Sequence, residues 1–253
     1  PIILIPVLID SNTTYGKLSK RDGDRLGFPV FPLQWTDPKS KEISSGYRES
    51  GYLPEAVINM LALLGWNSGT EQEIFPLEEL VKIFSIDRIS KHGAKFDLEK
   101  AKWFNHQYLQ TVEDDKLAQE FIKDLKSRNI DSPLNKVKSI VSLVKERCNF
   151  VKDFWDNSDY FFVAPNTYAE KALKKRWKEG TSERMCSSWA DNAEEFLMKY
   201  IAENELNMGQ IMNSIRLAVV GDTKGVNMVD IMRILGKQEI ISRITTAAER
   251  INL

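Results

Sequence analysis

Lys17-Leu18-Ser19-Lys20-Arg21-Asp22-Gly23-Asp24 is the stretch of this chain best suited to chemistry. A loop with two lysines and an arginine can grip a polyphosphate as charge builds on it in a transition state. Lysine serves there as a flexible point charge, and Ser19 adds a hydroxyl donor. Gly16 and Gly23 can act as hinges for closing and opening. The same residues also describe a solvated basic loop, and alone they do not separate the two readings.

A second group of candidates lies on helices. Residues 133–152 hold five basic residues, Lys136, Lys138, Lys145, Arg147 and Lys152, against one acidic residue, Glu146. The segment is therefore +4 inside a chain of net charge −1. Arg147 lies three residues after Val144, at the flank of an apolar stripe, and Arg216 lies four residues after Met212 at the flank of another. From position alone, each can be a core-edge arginine whose stem covers apolar surface. The two histidines, His92 and His106, have no ligand-spaced neighbours and read as surface or packing residues. Cys148 and Cys186 lie far apart without a CxxC partner. They suit a reducing cytoplasm and exclude an intrachain cysteine zinc site, so no metal ligands are expected.

The elements that must position these residues follow from pattern. Ile2 to Ile9 is a β-branched apolar stretch and reads as a strand, ended by Asp10-Ser11-Asn12. Residues 28–46 carry three prolines and little periodicity, which predicts an ordered excursion or a hairpin. From Tyr52 onward the pattern is helical. Pro54 opens a helix, where its missing N–H costs nothing, and Gly65 stops it. Residues 77–84 form another, and Asp97 caps a third running through Tyr108. Residues 114–128 put Leu117, Phe121 and Leu125 on one face. Pro133 opens the next helix, with Val137, Ile140, Val141 and Val144 inward. Residues 168–178, a stretch from Ser182 or Ser187 to about 204, and residues 209–220, 228–235 and 237–251 complete the set. The fold class is therefore mainly α, with a small N-terminal α/β remnant that carries the basic loop. A boundary near residue 110 divides 1–110 from a helical 111–253, itself divisible near 180.

Composition is that of an ordinary globular protein, with 42% hydrophobic and 28% charged residues among 253. No apolar run approaches the roughly 20 residues of a membrane span. A pI of about 6.3 argues against nonspecific coating of nucleic acid and leaves a local patch open.

Several segments in collinear order carry a resemblance. Lys17-Leu18-Ser19-Lys20-Arg21 looks like the KMSKS signature of class I aminoacyl-tRNA synthetases. Tyr47-Arg48-Glu49-Ser50-Gly51-Tyr52-Leu53-Pro54-Glu55-Ala56 and Leu61-Ala62-Leu63-Leu64-Gly65-Trp66 resemble the YREEGYLPEALLNYLALLGW segment of bacterial-type glutamyl-tRNA synthetases. Phe96-Asp97 with Trp103-Phe104-Asn105 resembles the same family. So do Ile215-Arg216-Leu217-Ala218-Val219-Val220-Gly221 and Leu235-Gly236-Lys237-Gln238-Glu239. Residues 28–45 are longer than the matching loop in many members. Gly225-Val226 stands where many have proline, and no HIGH-like signature precedes Lys17.

The resemblance implies the C-terminal, tRNA-binding part of a glutamate-tRNA ligase that uses ATP and Mg. Lys17, Lys20 and Arg21 would be catalytic, with Lys20 and Ser19 on ATP. It implies a stem-contact region over about 47–110 and an all-helical anticodon-binding domain over 111–253. There Arg147, Arg216 and Met228 would meet the anticodon, Met228 as an apolar wall for an unstacked base. It further implies a cytoplasmic monomer, no membrane contact, glutamate tRNA as partner, glutamate and ATP as substrates of the parent, and no cofactor bound to these residues alone. Those residues alone would be catalytically inactive. A helical tRNA- or protein-binding module without catalysis is the alternative. Glutaminyl-tRNA synthetase fits less well, because its anticodon region is a β-barrel. The truncated paralogue that modifies queuosine in a tRNA lacks the helical domain.

Overall fold

The computed structural model describes residues 9–10, 23, 28–90, 94–171, 173 and 208–251. Residues 2–8 of the expected strand, the expected basic loop at 17–21, most of the helix expected over 168–178 and the helix expected from Ser182 or Ser187 to about 204 lie outside the described residues. Those described are mainly helical, with short strand pairs toward the N-terminus. The chain divides into two compact units, Pro1–Glu113 with Lys145–Asp153, and Asp114–Val144 with Phe154–Leu253.

In the first unit, strand β1 (Ile9–Asp10) pairs in parallel with β4 (Lys95–Phe96), placing Ile9 opposite Lys95 and Asp10 opposite Phe96. Strands β2 (Trp35–Thr36) and β3 (Ile43–Ser44) are antiparallel, so the proline-rich excursion is a hairpin. Its tip is an Asx turn: Asp37 Oδ1 accepts from the backbone N–H of Lys39 (2.8 Å) and Ser40 (3.1 Å).

Helix α1 (Pro54–Leu63) starts with proline in its first turn and has no side-chain cap. Its entry is held from elsewhere, because Asn105 Oδ1 accepts from Leu53 N at 2.7 Å. Helix α2 (Leu77–Ile83) follows. Helix α3 (Leu98–Thr111) is capped by Asp97, whose side chain accepts from Glu99 N and Lys100 N. Tyr47, Tyr52, Met60, Phe96, Phe104 and Phe150 form the core against α1 and α3. Burial pushes the Tyr47 and Tyr52 hydroxyls up to about 12, so both stay neutral. Asn59 is fully buried on α1, and its Oδ1 accepts from Phe75 N at 2.8 Å. The Tyr108 hydroxyl donates to the same oxygen at 2.8 Å, so Oδ1 is doubly satisfied while Nδ2 is buried without a hydrogen-bond partner among the described residues.

In the second unit, α4 (Asp114–Ser127) buries Leu117, Ala118, Phe121 and Leu125. It packs on α5 (Leu134–Val144), which buries Val137, Ile140, Val141 and Val144. These are the faces that the 3.6-residue period predicts. A short α6 (Asp153–Ser158) sets Phe154 at 5.6 Å from Phe121, edge to face. Helices α7 (Met208–Val220), α8 (Met228–Leu235) and α9 (Lys237–Ile251) complete the unit, with α9 packed on both α7 and α8. Asn227 caps α8 by accepting from Val229 N at 2.9 Å. Among the described residues no helix is long and apolar enough to cross a membrane, and no cluster of His, Cys, Asp and Glu could hold a metal ion.

Candidate functional site

The five cations of residues 133–152 do not act alike once folded. Lys138 pairs with Asp115 at 2.6 Å. Lys145 Nζ donates to the Val112 carbonyl at 2.8 Å. Lys152 sits 4.8 Å from the Phe150 ring centre, and Lys136 lies 5.8 Å from that of Phe162. Lys136 is also partly buried, which lowers its pKa; Arg243 lowers it further and Glu239 opposes. Arg147 is exposed and, among the described residues, its guanidinium has no ion-pair or hydrogen-bond partner. It is therefore the cation of the segment that is available to a ligand.

The backbone beneath Arg147 is held at many points. Helix α5 gives way to a 3-10 turn over Lys145–Arg147. Cys148, next in line, is fully buried. Three side chains of α3 donate to carbonyls of this strip. Gln110 Nε2 reaches Lys145 O at 3.0 Å, His106 Nδ1 reaches Cys148 O at 2.9 Å, and Asn105 Nδ2 reaches Asn149 O at 2.5 Å. From the other side, Asp153 Oδ2 accepts from Asn149 N and Phe150 N, both at 2.9 Å. A carbonyl can only accept, so His106 carries its proton on Nδ1 and presents Nε2 elsewhere. Each such bond contributes about 0.5–1.5 kcal/mol net. Their joint effect is to fix the strip while the Arg147 side chain stays exposed.

A groove of about 290 Å³ opens at this point. Lys102, Trp103 and His106 of α3 line one side, and Glu146, Arg147 and Asn149 line the other. Lys102 is engaged with Glu99 at 2.8 Å. The Lys100 ammonium lies 3.9 Å from the Trp103 ring centre, a cation–π contact that steadies the indole. Aromatic rings beside a guanidinium and an amide make a surface suited to a flat, hydrogen-bonding heterocycle.

Arg216 is half-buried on α7, in the second unit. Its guanidinium passes so close to the loop after α7 that a Cβ at position 225 would come within 2.9 Å of Nη1. Gly225, with φ of +139°, is thus both sterically and conformationally the residue that this approach needs. Met228 differs from expectation. As the first residue of α8 it is 3% exposed and belongs to the core, so its side chain offers no open wall to a base. Lys17, Ser19, Lys20 and Arg21 lie outside the described residues.

His106, Asn149 and Gln110 were not singled out as site residues from the sequence, and Trp103 entered there only as part of a family-like segment. The spacing of His106 and Gln110, four apart on one helix, puts both on one face. What that face would meet has no signal in the sequence.

Residues 99–248, covering α3 to α9, match the family of anticodon binding domains. The chain belongs to that family. Residues 5–103 match a second family, the catalytic domain of class I tRNA synthetases (E and Q). A glutamate–tRNA ligase of Phocaeicola vulgatus is 52% identical over 98% of this chain and 50% of its own length. One from Flavobacterium johnsoniae is 50% identical over 98% of this chain and 50% of its own. The crystal structure of a glutamate tRNA ligase from Elizabethkingia meningosepticum, in complex with its amino acid, superposes with a TM-score of 0.91 at 41% identity. It covers 98% of this chain and 51% of that one. The glutamate-tRNA synthetase of Elizabethkingia anophelis gives 0.90 at 42% identity, over 97% and 50%. The chain spans about half the length of the curated relatives it matches. The resemblance drawn from short motifs thus extends to the whole sequence and to the fold.

Proposed function

We propose that this chain is the tRNA-binding part of a glutamate–tRNA ligase, which joins glutamate to its tRNA using ATP. The observation that carries this reading is the continuous succession, in one chain, of a class I catalytic-domain match and an anticodon-binding-domain match. In this reading residues 47–110 meet the inner corner of the acceptor arm and residues 111–253, the Arg147 strip among them, meet the anticodon. The parent enzyme works in the cytoplasm as a monomer. A second reading is a helical tRNA- or protein-binding module that acts without catalysis, and the anticodon-binding match over residues 99–248 supports its binding role.

Lys17, Ser19, Lys20 and Arg21 supply three cations and a hydroxyl, a donor set that fits the phosphates of ATP, with Mg accompanying the nucleotide. Lys20 would act mainly on the transition state of adenylate formation. In the full-length ligase, Lys20→Ala is expected to lower kcat by about 10²–10³-fold while KM for ATP changes little. Steady-state kinetics of ATP-dependent glutamate activation measure this. An equal rise in KM with kcat untouched would reduce Lys20 to a charge that merely neutralises phosphate.

Single-stranded RNA bases are splayed out and read on exposed edges. The Arg147 guanidinium can donate to both O2 and N3 of cytosine, the third base of a glutamate anticodon, where a glutamine anticodon has guanine. Arg147→Gln is expected to reduce the preference for cytosine at that position by about 1–3 kcal/mol, as for bidentate base readout in DNA. Arg216→Ala is expected to weaken binding of the loop as a whole. The measurement is binding of anticodon stem-loops that differ only in the third base, at fixed salt. Equal weakening of every sequence by Arg147→Gln would make that residue a phosphate clamp.

A further inference from the structure

We propose that Asn149 is a second base-reading residue beside Arg147, and that Asn105, His106 and Gln110 are positioning residues that hold both in register. This rests on the reading of Arg147 as a base reader and deepens it. Asn149 is half-buried and lines the same groove as Arg147. Its backbone is fixed on both sides, the N–H by Asp153 Oδ2 at 2.9 Å and the carbonyl by Asn105 Nδ2 at 2.5 Å. Among the described residues, its side-chain amide makes no hydrogen bond. A residue whose main chain is held so fully while its half-buried amide stays unbonded is preorganised to bind.

The two side chains complement one base. Cytosine presents two acceptors, O2 and N3, and one donor, the N4 amino group. Arginine only donates, so it matches the two acceptors; the amide of asparagine also accepts, so Oδ1 matches N4. Guanine presents the reverse, with N1 and N2 donating and O6 accepting. Against it, the guanidinium meets donors and is left unpaired at the contact, and the amide pairs with O6 only if it turns from the Oδ1-forward orientation that suits cytosine. The rings of Trp103 and His106 in the same groove give a stacking surface that any base can use. The pair therefore selects cytosine through its polar edge, with rings that add affinity without preference. The α3 clamp explains how an exposed and a half-buried side chain, one on the turn and one just after it, keep such geometry. Gln110 fixes the start of the turn through Lys145 O, His106 its end through Cys148 O, and Asn105 the residue that carries the amide.

The test uses the full chain with anticodon stem-loops carrying cytosine or guanine at the third position, at fixed salt. Asn149→Ala is expected to reduce the cytosine-to-guanine binding ratio about tenfold, the weight of one well-made hydrogen bond to a base edge. Asn149→Asp keeps the acceptor and is expected to keep most of the ratio. Gln110→Met removes only the clamp at Lys145. It is expected to lower the ratio with an unchanged circular dichroism spectrum. The double variant Arg147→Gln with Asn149→Ala should lose less than the product of the single losses, because both read one base. The proposal is overturned if Asn149→Ala weakens both loops by the same factor, or leaves the ratio unchanged, while Arg147→Gln still collapses it. If Arg147→Gln also leaves the ratio intact, the anticodon reading of Arg147 fails with it.

Discussion

A polypeptide of these 253 residues is expected to give no glutamate-dependent pyrophosphate exchange, with or without tRNA, while retaining measurable affinity for an anticodon stem-loop. The class I catalytic match covers residues 5–103, and the chain spans 50% of its Phocaeicola vulgatus relative. The Lys17–Arg21 cations can attract phosphates wherever they are, but attraction is not alignment. Adenylate formation needs the α-phosphate and the glutamate carboxylate held in line. Holding two reactants so is worth up to roughly 7–11 kcal/mol. A cationic loop without a second wall binds ground and transition states alike, and such uniform binding does not raise kcat. Exchange by the 253-residue polypeptide at a rate near that of the full-length enzyme would sink this expectation. Loss of stem-loop binding would instead remove the binding-module reading.

The helices were legible where local chemistry sets them. Pro54 and Asp97 mark two helix starts in both sequence and structure. The apolar spacing of α4 and α5 reports the faces they bury, because a period of 3.6 is a local property. The run from Lys145 to Phe161 was not legible. It consists of two 3-10 turns and a six-residue helix, too short for a period. Its first residues, Lys145 to Asn149, are held by side chains of Asn105, His106 and Gln110, 35 to 44 positions earlier. The parallel pairing of Ile9 with Lys95 is likewise a long-range choice. At the candidate site, the +4 charge of residues 133–152 singled out a segment, but not which of its cations the fold leaves available. Four of the five have other engagements in the fold. Met228 shows the reverse error. A methionine just past a turn has the composition of a surface wall, and only packing shows it to be core.

Arg243→Leu is expected to destabilise the second unit by roughly 4 kcal/mol, the sum of two orphaned buried carbonyls at about 1–3 kcal/mol each. On α9, position 243 falls among Ile240, Ile244 and Ala247, and it is 4% exposed. A guanidinium so placed must have its donors met. Nη1 donates to Tyr160 O at 2.6 Å and Val219 O at 2.9 Å. Val219 lies in the last turn of α7, where carbonyls lack helical partners and cations are favoured. One side chain thus ties α9 to the end of α7 and to the turn at Asp159–Phe161. Nε reaches Glu239 at 2.7 Å, but that carboxylate is 43% exposed. Glu239→Gln is therefore expected to cost under about 1 kcal/mol. Arg243→Lys should restore only part of the loss, since one ammonium cannot reproduce the fork. Lys136 supplies an independent readout. Burial and then Arg243 hold its pKa below the usual lysine value, so removing the guanidinium should let it rise. Urea unfolding of the chain and its variants gives the stability, and NMR titration of the Lys136 ammonium gives the shift. If Arg243→Leu unfolds at the same urea concentration as the parent, the two carbonyls find other partners and Arg243 is not the tie described here.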